Sequence, residues 1–116
     1  MRHEESKIQR AAVKWFRYMF PDHVLLSIPN GGARNKIEAA ILKAEGVLAG
    51  AADLFLACAS KDELTHGLWI EVKTQYGRQT ETQKAFQDKV LKLGYGYRIV
   101  RSLDEFIEVV NNYLIK

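Results

Sequence analysis

Three residues in the middle of the chain could act together chemically: Asp53, Glu71 and Lys73. Asp53 opens the apolar segment DLFLACA, and the other two form a Glu-x-Lys pattern within LWIEVKT at residues 68–74. Two carboxylates are suitable ligands for Mg²⁺, which prefers oxygen. A lysine beside them could hold an attacking water or offset charge that develops on a phosphate. The combination indicates metal-assisted phosphodiester hydrolysis, and the alternative is a solvated pair of charges on an exposed sheet face.

Side-chain alternation in a strand decides whether these groups can meet. Leu68, Ile70 and Val72 share one face of the 68–74 segment, while Glu71 and Lys73 share the other. If residues 53–59 form the neighbouring strand of a hairpin, the Asp53 side chain can converge on that second face.

The first helix predicts a further carboxylate at the site. Apolar residues recur at helical spacing over residues 4–19, and Glu5 falls at the edge of this apolar stripe. Gln9 lies one turn further on the same side. Glu5 could reach the same cation, or it could be a helix-start glutamate favoured by the helix dipole. Glu4, which flanks the stripe on its other side, is the rival position.

Residues after the Glu-x-Lys strand could also take part. Thr80 and Gln83 have the spacing of a capping box that opens a helix, and Gln83 could instead point back to the site. Tyr76 and Arg78 lie in a loop that could contact a sugar-phosphate backbone, and Lys84 is beside Gln83.

The segment PNGGARN at residues 29–35 is either an ordinary turn or a phosphate-binding loop. Its glycines allow close approach of the backbone amides to a phosphate. The candidate DNA contacts here are Asn30, Gly31, Gly32 and Arg34.

Periodicity and turn residues predict the element order α β α β β α β α. A hairpin in the middle and helices elsewhere imply an α/β protein with a mixed sheet flanked by helices. The 116 residues are the size of one domain, spanning residues 1–116. No apolar run is long enough to cross a membrane, and the polar N-terminus does not resemble a signal peptide.

Composition limits the partners. The net charge of +3 permits a nucleic-acid partner without requiring one. Cys58 is the single cysteine, which excludes an internal disulfide and a cysteine-rich zinc site. No glycine-rich loop fits a nucleotide-binding pattern, and no small-molecule substrate is indicated. A cytoplasmic location is the expectation.

Taken together, these motifs resemble the VRR-nuc (virus-type replication-repair nuclease) family of the PD-(D/E)XK nuclease superfamily. The resemblance runs from Glu5 to the last helix: E-x-x-x-Q, PNGGARN, GAADL, IEVK, T-x-x-Q-K-x-F and LGYGYRIVRSLDE occur in family order. Each motif is weak alone, and their order and spacing make the combination specific. Ala52 stands where the family often has proline, which mainly stiffens that turn, so activity is expected to survive this difference.

The resemblance implies a role for each site residue. Asp53, Glu71 and the backbone carbonyl of Val72 would bind Mg²⁺ or Mn²⁺. Lys73 would position the attacking water or stabilise the phosphate, Glu5 would orient metal-bound water or join the metal shell, and Gln83 would help place Lys73 or the water.

The resemblance also implies a restriction-endonuclease-like core, with the helix after PNGG as an insertion, and a structure-selective DNA endonuclease. Small members of this kind act as homodimers on branched DNA such as Holliday junctions. The alternatives are a flap, duplex or repair nuclease that uses the same site, and a non-catalytic DNA-binding module.

Overall fold

The computed structural model describes residues 2–29 and 35–116 of the chain. The elements are four helices and four strands in the predicted order. They are α1 (Arg2–Met19), β1 (Leu25–Ser27), α2 (Lys36–Ala44), β2 (Leu54–Leu56), β3 (Leu68–Val72), α3 (Glu81–Lys92), β4 (Gly96–Val100) and α4 (Leu103–Leu114).

The four strands form one mixed sheet in the order β1-β2-β3-β4. The β1–β2 and β2–β3 pairs are antiparallel, and β3 pairs with β4 in parallel. A parallel pair needs a long crossover connection, and α3 supplies it here. The α/β fold class, the mixed sheet and the central hairpin are therefore confirmed.

The helix ends follow local capping chemistry. Thr80 and Gln83 form the predicted capping box at the start of α3, in which each side chain accepts a hydrogen bond from the backbone N–H of the other residue. Gly46 follows the C-cap of α2 at a φ of +109°, a left-handed conformation that glycine adopts without a Cβ penalty. These caps fix where the helices meet the loops around the sheet.

One face of the sheet carries the main hydrophobic core. Ala12 and Phe16 of α1 and Phe106 of α4 pack there against the central strands, and all three are fully buried. Ile70 and Val72 of β3 point into this core, as their alternation predicts.

The opposite face is covered by α3 and carries a smaller, more aromatic cluster. Phe86 and Val90 of α3 pack there against Tyr97 of β4 and Trp69 of β3. By contrast, none of the nine residues of α2, all of which the structure describes, is buried. In the part of the chain that the structure describes, no helix has the length and apolar character needed to span a membrane.

Candidate functional site

Pairing of β2 with β3 brings Asp53 to the Glu-x-Lys segment. Leu54 lies opposite Ile70 in the antiparallel register, so the preceding residue, Asp53, falls beside Glu71. One carboxylate oxygen of Asp53, Oδ2, accepts a hydrogen bond of 2.7 Å from the backbone N–H of Val72. This bond fixes the Asp53 side chain against the end of β3.

Glu71 and Lys73 lie on the α3 side of the sheet and are both buried, with exposed fractions of 1% and 7%. The Lys73 Nζ atom is 3.3 Å from Glu71 Oε2, which makes an ion pair. The approach does not have hydrogen-bond geometry, and within the described residues Glu71 Oε2 has no hydrogen-bond partner. The alternative of a solvated surface pair is therefore wrong.

The side chain of Gln83 connects α3 to this pair. Its Oε1 atom accepts hydrogen bonds from Lys73 Nζ at 2.9 Å and from the backbone N–H of Thr80 at 2.8 Å. Gln83 therefore caps α3 and contacts Lys73 at the same time. The cap fixes the rotamer that orients the lysine.

Glu5 is half-buried in the first turn of α1 and lines the same cleft as Asp53. Glu4 is exposed and does not line the described part of the cleft. Of the two rival positions, the structure thus brings Glu5 to the site. Gln9, one turn later, donates to the hydroxyl of Ser27 at 3.4 Å and so contacts β1.

The pKa of Asp53 reflects its burial first and the neighbouring acidic groups second. Burial raises the pKa of Asp53 above its ordinary value of 3.8, the hydrogen bond from Val72 lowers it, and the nearby charges of Glu71 and Glu5 raise it further. Lys73 offsets part of this effect. A site that disfavours the carboxylate charge in this way is one that a bound cation would stabilise.

The cleft beside these groups has a volume of about 750 Å³. One side is polar and contains Glu5, Asp53, Thr80, Thr82 and Gln83. The other side is formed by α2 and the following loop and is largely aliphatic, with Ala39, Leu42, Val47, Leu48 and Ala49. Lys43 is the basic residue that lines it among the described residues. The carboxylates thus face an apolar wall across a solvent-accessible space.

Gly50 holds the loop of this wall close to α3. Its φ is +87°, and a Cβ there would overlap the carbonyl of Thr82 and lie 3.0 Å from the backbone nitrogen of Gln83. The glycine in the GAADL motif is therefore needed for a close approach of two backbones. Ala52, at the position where proline was expected, is fully buried in the α3-side cluster.

Three of the predicted DNA contacts lie on exposed surface near the cleft, and the other four are not described by the structure. Tyr76 and Arg78 lie in the loop after β3 and are exposed, Tyr76 by 86%. Lys84 is exposed on the first turn of α3, where its Nζ is 3.8 Å from Glu81 Oε1. Asn30, Gly31, Gly32 and Arg34 lie outside the described residues.

Two residues that sequence patterns did not single out for the site take part in its structure. The hydroxyl of Tyr97 donates a hydrogen bond to Glu71 Oε1, and burial together with this bond raises the pKa of Tyr97. Arg101 Nη1 donates to the carbonyls of Thr74, Gln75 and Gly77 at 2.8, 3.3 and 2.7 Å, so it anchors the loop after β3. Alternation in GYGYR could have placed Tyr97 on the α3 side, but only the parallel register brings it to Glu71.

The described residues contain no group of three or more His, Cys, Asp or Glu side chains arranged to hold a metal ion. Two carboxylates do come together, each with one oxygen engaged by a protein donor: Asp53 by Val72 N and Glu71 by Tyr97. The second oxygen of each makes no hydrogen bond within the described chain. Any cation here would need a backbone carbonyl, waters or a substrate oxygen to complete its shell.

No family model and no curated protein matches this sequence. Among solved structures, the fold matches a protein described as a "VRR_NUC domain protein" with a TM-score of 0.76 and 26% sequence identity. The match covers 94% of this chain and 86% of that one. The predicted resemblance to VRR-nuc proteins is thereby confirmed over nearly the whole described fold.

Proposed function

We propose that the chain is a nuclease domain of the PD-(D/E)XK type, covering residues 1–116, that hydrolyses phosphodiester bonds in DNA with the help of Mg²⁺ or Mn²⁺. The observation that carries the proposal is the convergence of Asp53, Glu71 and Lys73 in a buried polar network beside the cleft. The structural match to a VRR_NUC domain protein supports the same activity.

The donor set suits a hard divalent cation. Mg²⁺ is commonly bound by one or two carboxylates, several waters and a substrate phosphate. Asp53 and Glu71 each have one oxygen without a hydrogen bond among the described residues, although that of Glu71 is in an ion pair with Lys73. The carbonyl of Val72 is the third protein ligand that we propose. Bound there, the metal would supply positive charge at the scissile phosphate and lower the pKa of a water.

The remaining polar groups have separate tasks. Lys73 is held by Gln83 and Glu71, so its ammonium group is positioned to stabilise charge that develops on the phosphate. Gln83 positions Lys73 through its 2.9 Å hydrogen bond. Glu5 lines the cleft from α1, where it would orient a water bound to the metal.

DNA would be held through phosphate contacts outside the cleft. Tyr76, Arg78 and Lys84 are the exposed candidates near the site, and Asn30, Gly31, Gly32 and Arg34 are retained as further candidates from the sequence. Phosphate contacts fix position without reading sequence. The activity that we propose is therefore selective for DNA structure.

Branched DNA acted on by a homodimer is the specific form of this proposal. A four-way junction has two-fold symmetry, and a two-fold dimer would present one site to each of two strands. The support is the resemblance of this chain to junction-resolving members of the family.

Cleavage assays on a four-way junction, a flap and a plain duplex test the activity, each with Mg²⁺, Mn²⁺ or EDTA. We expect metal-dependent cleavage, faster on branched substrates. Lys73→Ala should lower the rate by about 10²–10³-fold, since a preorganised charge at the phosphate is lost. Lys61→Ala, at an exposed lysine that does not line the cleft, is the control.

Three outcomes would contradict this assignment. Cleavage that persists in EDTA, or full activity in Lys73→Ala, would remove the mechanism. Metal-independent DNA binding with no cleavage of any substrate would favour the non-catalytic binding module.

A flap or single-stranded substrate is the second candidate, and the aliphatic wall of the cleft favours it. The outside of a duplex presents sugars and phosphates, which gain little from contact with Leu42 and Val47. An unpaired nucleotide can place its base against that wall while its phosphate stays near the carboxylates. The cleft volume of about 750 Å³ lies in the range of pockets that enclose a small organic ligand.

Two substitutions in α2 distinguish a flap substrate from a four-way junction. Leu42 lines the cleft, whereas Ile37 is 73% exposed and does not. If unpaired nucleotides enter, Leu42→Asp should reduce flap cleavage several-fold relative to junction cleavage, and Ile37→Asp should not. Equal losses on both substrates would favour the junction, because the wall would then have no role specific to an unpaired base.

A further inference from the structure

We propose that Tyr97 is a positioning residue for Glu71: its hydroxyl anchors one carboxylate oxygen so that the other stays directed toward the divalent cation. The inference rests on the proposed function, because it concerns the metal shell of that site. It adds a residue that the sequence motifs did not assign to the site and gives this residue a role in metal affinity.

The location of Tyr97 makes it a fixed donor. It lies on β4, where the parallel register places it beside Trp69 of β3. Its ring packs against Phe86 of α3, with 6.4 Å between the ring centroids, and the residue is 7% exposed. The hydroxyl emerges from this cluster at Glu71 Oε1. The strand and the helix together therefore set the position of the hydroxyl.

The available donors and acceptors determine which group donates in the contact between Tyr97 and Glu71. A carboxylate can only accept, so the single proton of the Tyr97 hydroxyl is donated to Glu71. Gln79 must then present its amide N–H to the hydroxyl, which it does at 3.3 Å. The same Gln79 nitrogen donates to Gln87 Oε1 at 2.8 Å. A chain of bonds thus runs from α3 through Gln79 and Tyr97 to Glu71.

The consequence falls on the second oxygen of Glu71. Since Oε1 is held by Tyr97, rotation of the carboxylate is restricted, and Oε2 is left without a hydrogen bond among the described residues. It keeps only the 3.3 Å ion pair with Lys73. A buried acceptor in this state is suited to a cation, and residues that orient a ligand in this way typically change metal affinity or activity by about 10–100-fold when removed.

Tyr97→Phe is the direct test, since it removes the hydroxyl and keeps the ring that packs on Phe86. Mn²⁺ binding to the protein without DNA is measured by electron paramagnetic resonance, so the readout does not depend on cleavage. We expect Mn²⁺ affinity to fall by about 10–100-fold. In cleavage assays the Mn²⁺ concentration for half-maximal rate should rise, while KM for DNA at saturating metal stays unchanged.

Tyr95→Phe is the matched control. Tyr95 lies two residues earlier, and its ring packs in the same cluster against Phe55 and Trp69. Its hydroxyl makes no hydrogen bond in the described part of the chain, so its removal should leave Mn²⁺ affinity unchanged. If Tyr97→Phe does not fold, Gln79→Leu tests the same chain of bonds, because it removes the donor to the Tyr97 hydroxyl. This variant should weaken Mn²⁺ binding several-fold.

The outcomes separate this inference from the proposed function. If the wild-type protein binds Mn²⁺ and cleaves DNA, but Tyr97→Phe binds Mn²⁺ equally well, only the positioning role is overturned. If the wild-type protein neither binds Mn²⁺ nor cleaves, both are overturned. Equal losses in Tyr95→Phe and Tyr97→Phe would also overturn the inference, because they would reflect packing.

Discussion

The two faces of the sheet are built on different principles, although the same strand contributes to both. Toward α1 and α4, β3 presents Ile70 and Val72 to an apolar core that also contains Phe16 and Phe106. Toward α3, β3 presents Glu71, and Lys73 follows directly after the strand. Both are buried, but they depend on Tyr97 and Gln83 for hydrogen bonds. The first face gains stability from burial. On the second face, the burial of charged groups lowers the stability of the fold. Such a loss is expected where polar groups are held in position to act on a substrate.

Of the substitutions that distinguish the two faces, those at the buried ion pair of Glu71 and Lys73 should change the free energy of unfolding most. Lys73→Met leaves the carboxylate of Glu71 buried without its cation, which should lower the free energy of unfolding by about 3–5 kcal/mol. The double variant Glu71→Leu/Lys73→Met removes both charges and should recover this loss, or exceed wild-type stability by about 1–4 kcal/mol, without cleavage activity. Urea unfolding with EDTA provides the measurement.

Lys84→Met serves as the control for this cycle. Lys84 is exposed and makes a 3.8 Å surface contact with Glu81, a type of pair that contributes about 0–1 kcal/mol. A double variant that is no more stable than Lys73→Met would show that the charges on the α3 face are not a cost to the fold.

Asp53→Asn should stabilise the protein, by less than Lys73→Met destabilises it. The raised pKa means that folded Asp53 keeps its proton to a higher pH than the unfolded chain does. The free energy of unfolding therefore falls as pH rises above 3.8 and has lost this contribution once pH exceeds the raised pKa. Asparagine keeps an acceptor for Val72 N without the charge, so Tm should increase at neutral pH in EDTA and cleavage should be lost.

Tm measured at a series of pH values tests whether the charge of Asp53 causes this difference. Below pH 3.8 the wild-type carboxyl is protonated, so the Tm advantage of Asp53→Asn should disappear. Asp88→Asn, at an exposed position on α3, is the control for an aspartate-to-asparagine change outside the site. An advantage that is independent of pH would mean that the substitution acts through packing.

The smallest effect is expected on the face of the sheet that packs against α1 and α4. Ile70→Val removes one methylene from the residue next to Glu71 in sequence, on the opposite face. It should cost about 0.5–1.5 kcal/mol in unfolding and leave the cleavage rate unchanged. A large loss of activity in this variant would show that the two faces are coupled through β3.

Sequence patterns predicted the α3-facing site only as far as local periodicity reaches. Alternation in LWIEVKT separated Glu71 and Lys73 from the core residues, and the capping box fixed Gln83. The contact between Tyr97 and Glu71 was not predictable, because it depends on a parallel register set by the crossover through α3. The burial of Lys73 was not predictable for the same reason. A lysine that follows a strand is expected to be exposed unless the position of the covering helix, here α3, is known.

The anchoring of the 74–77 loop by Arg101 has a consequence for engineering the chain. Because one guanidinium nitrogen contacts three carbonyls, the length of this loop is matched to the position of Arg101, and an insertion would break the contacts. Lysine would not replace the planar donor group. At residues 62–64, by contrast, the described hydrogen bonds stay within residues 60–64, so a peptide tag or fluorophore is better inserted there.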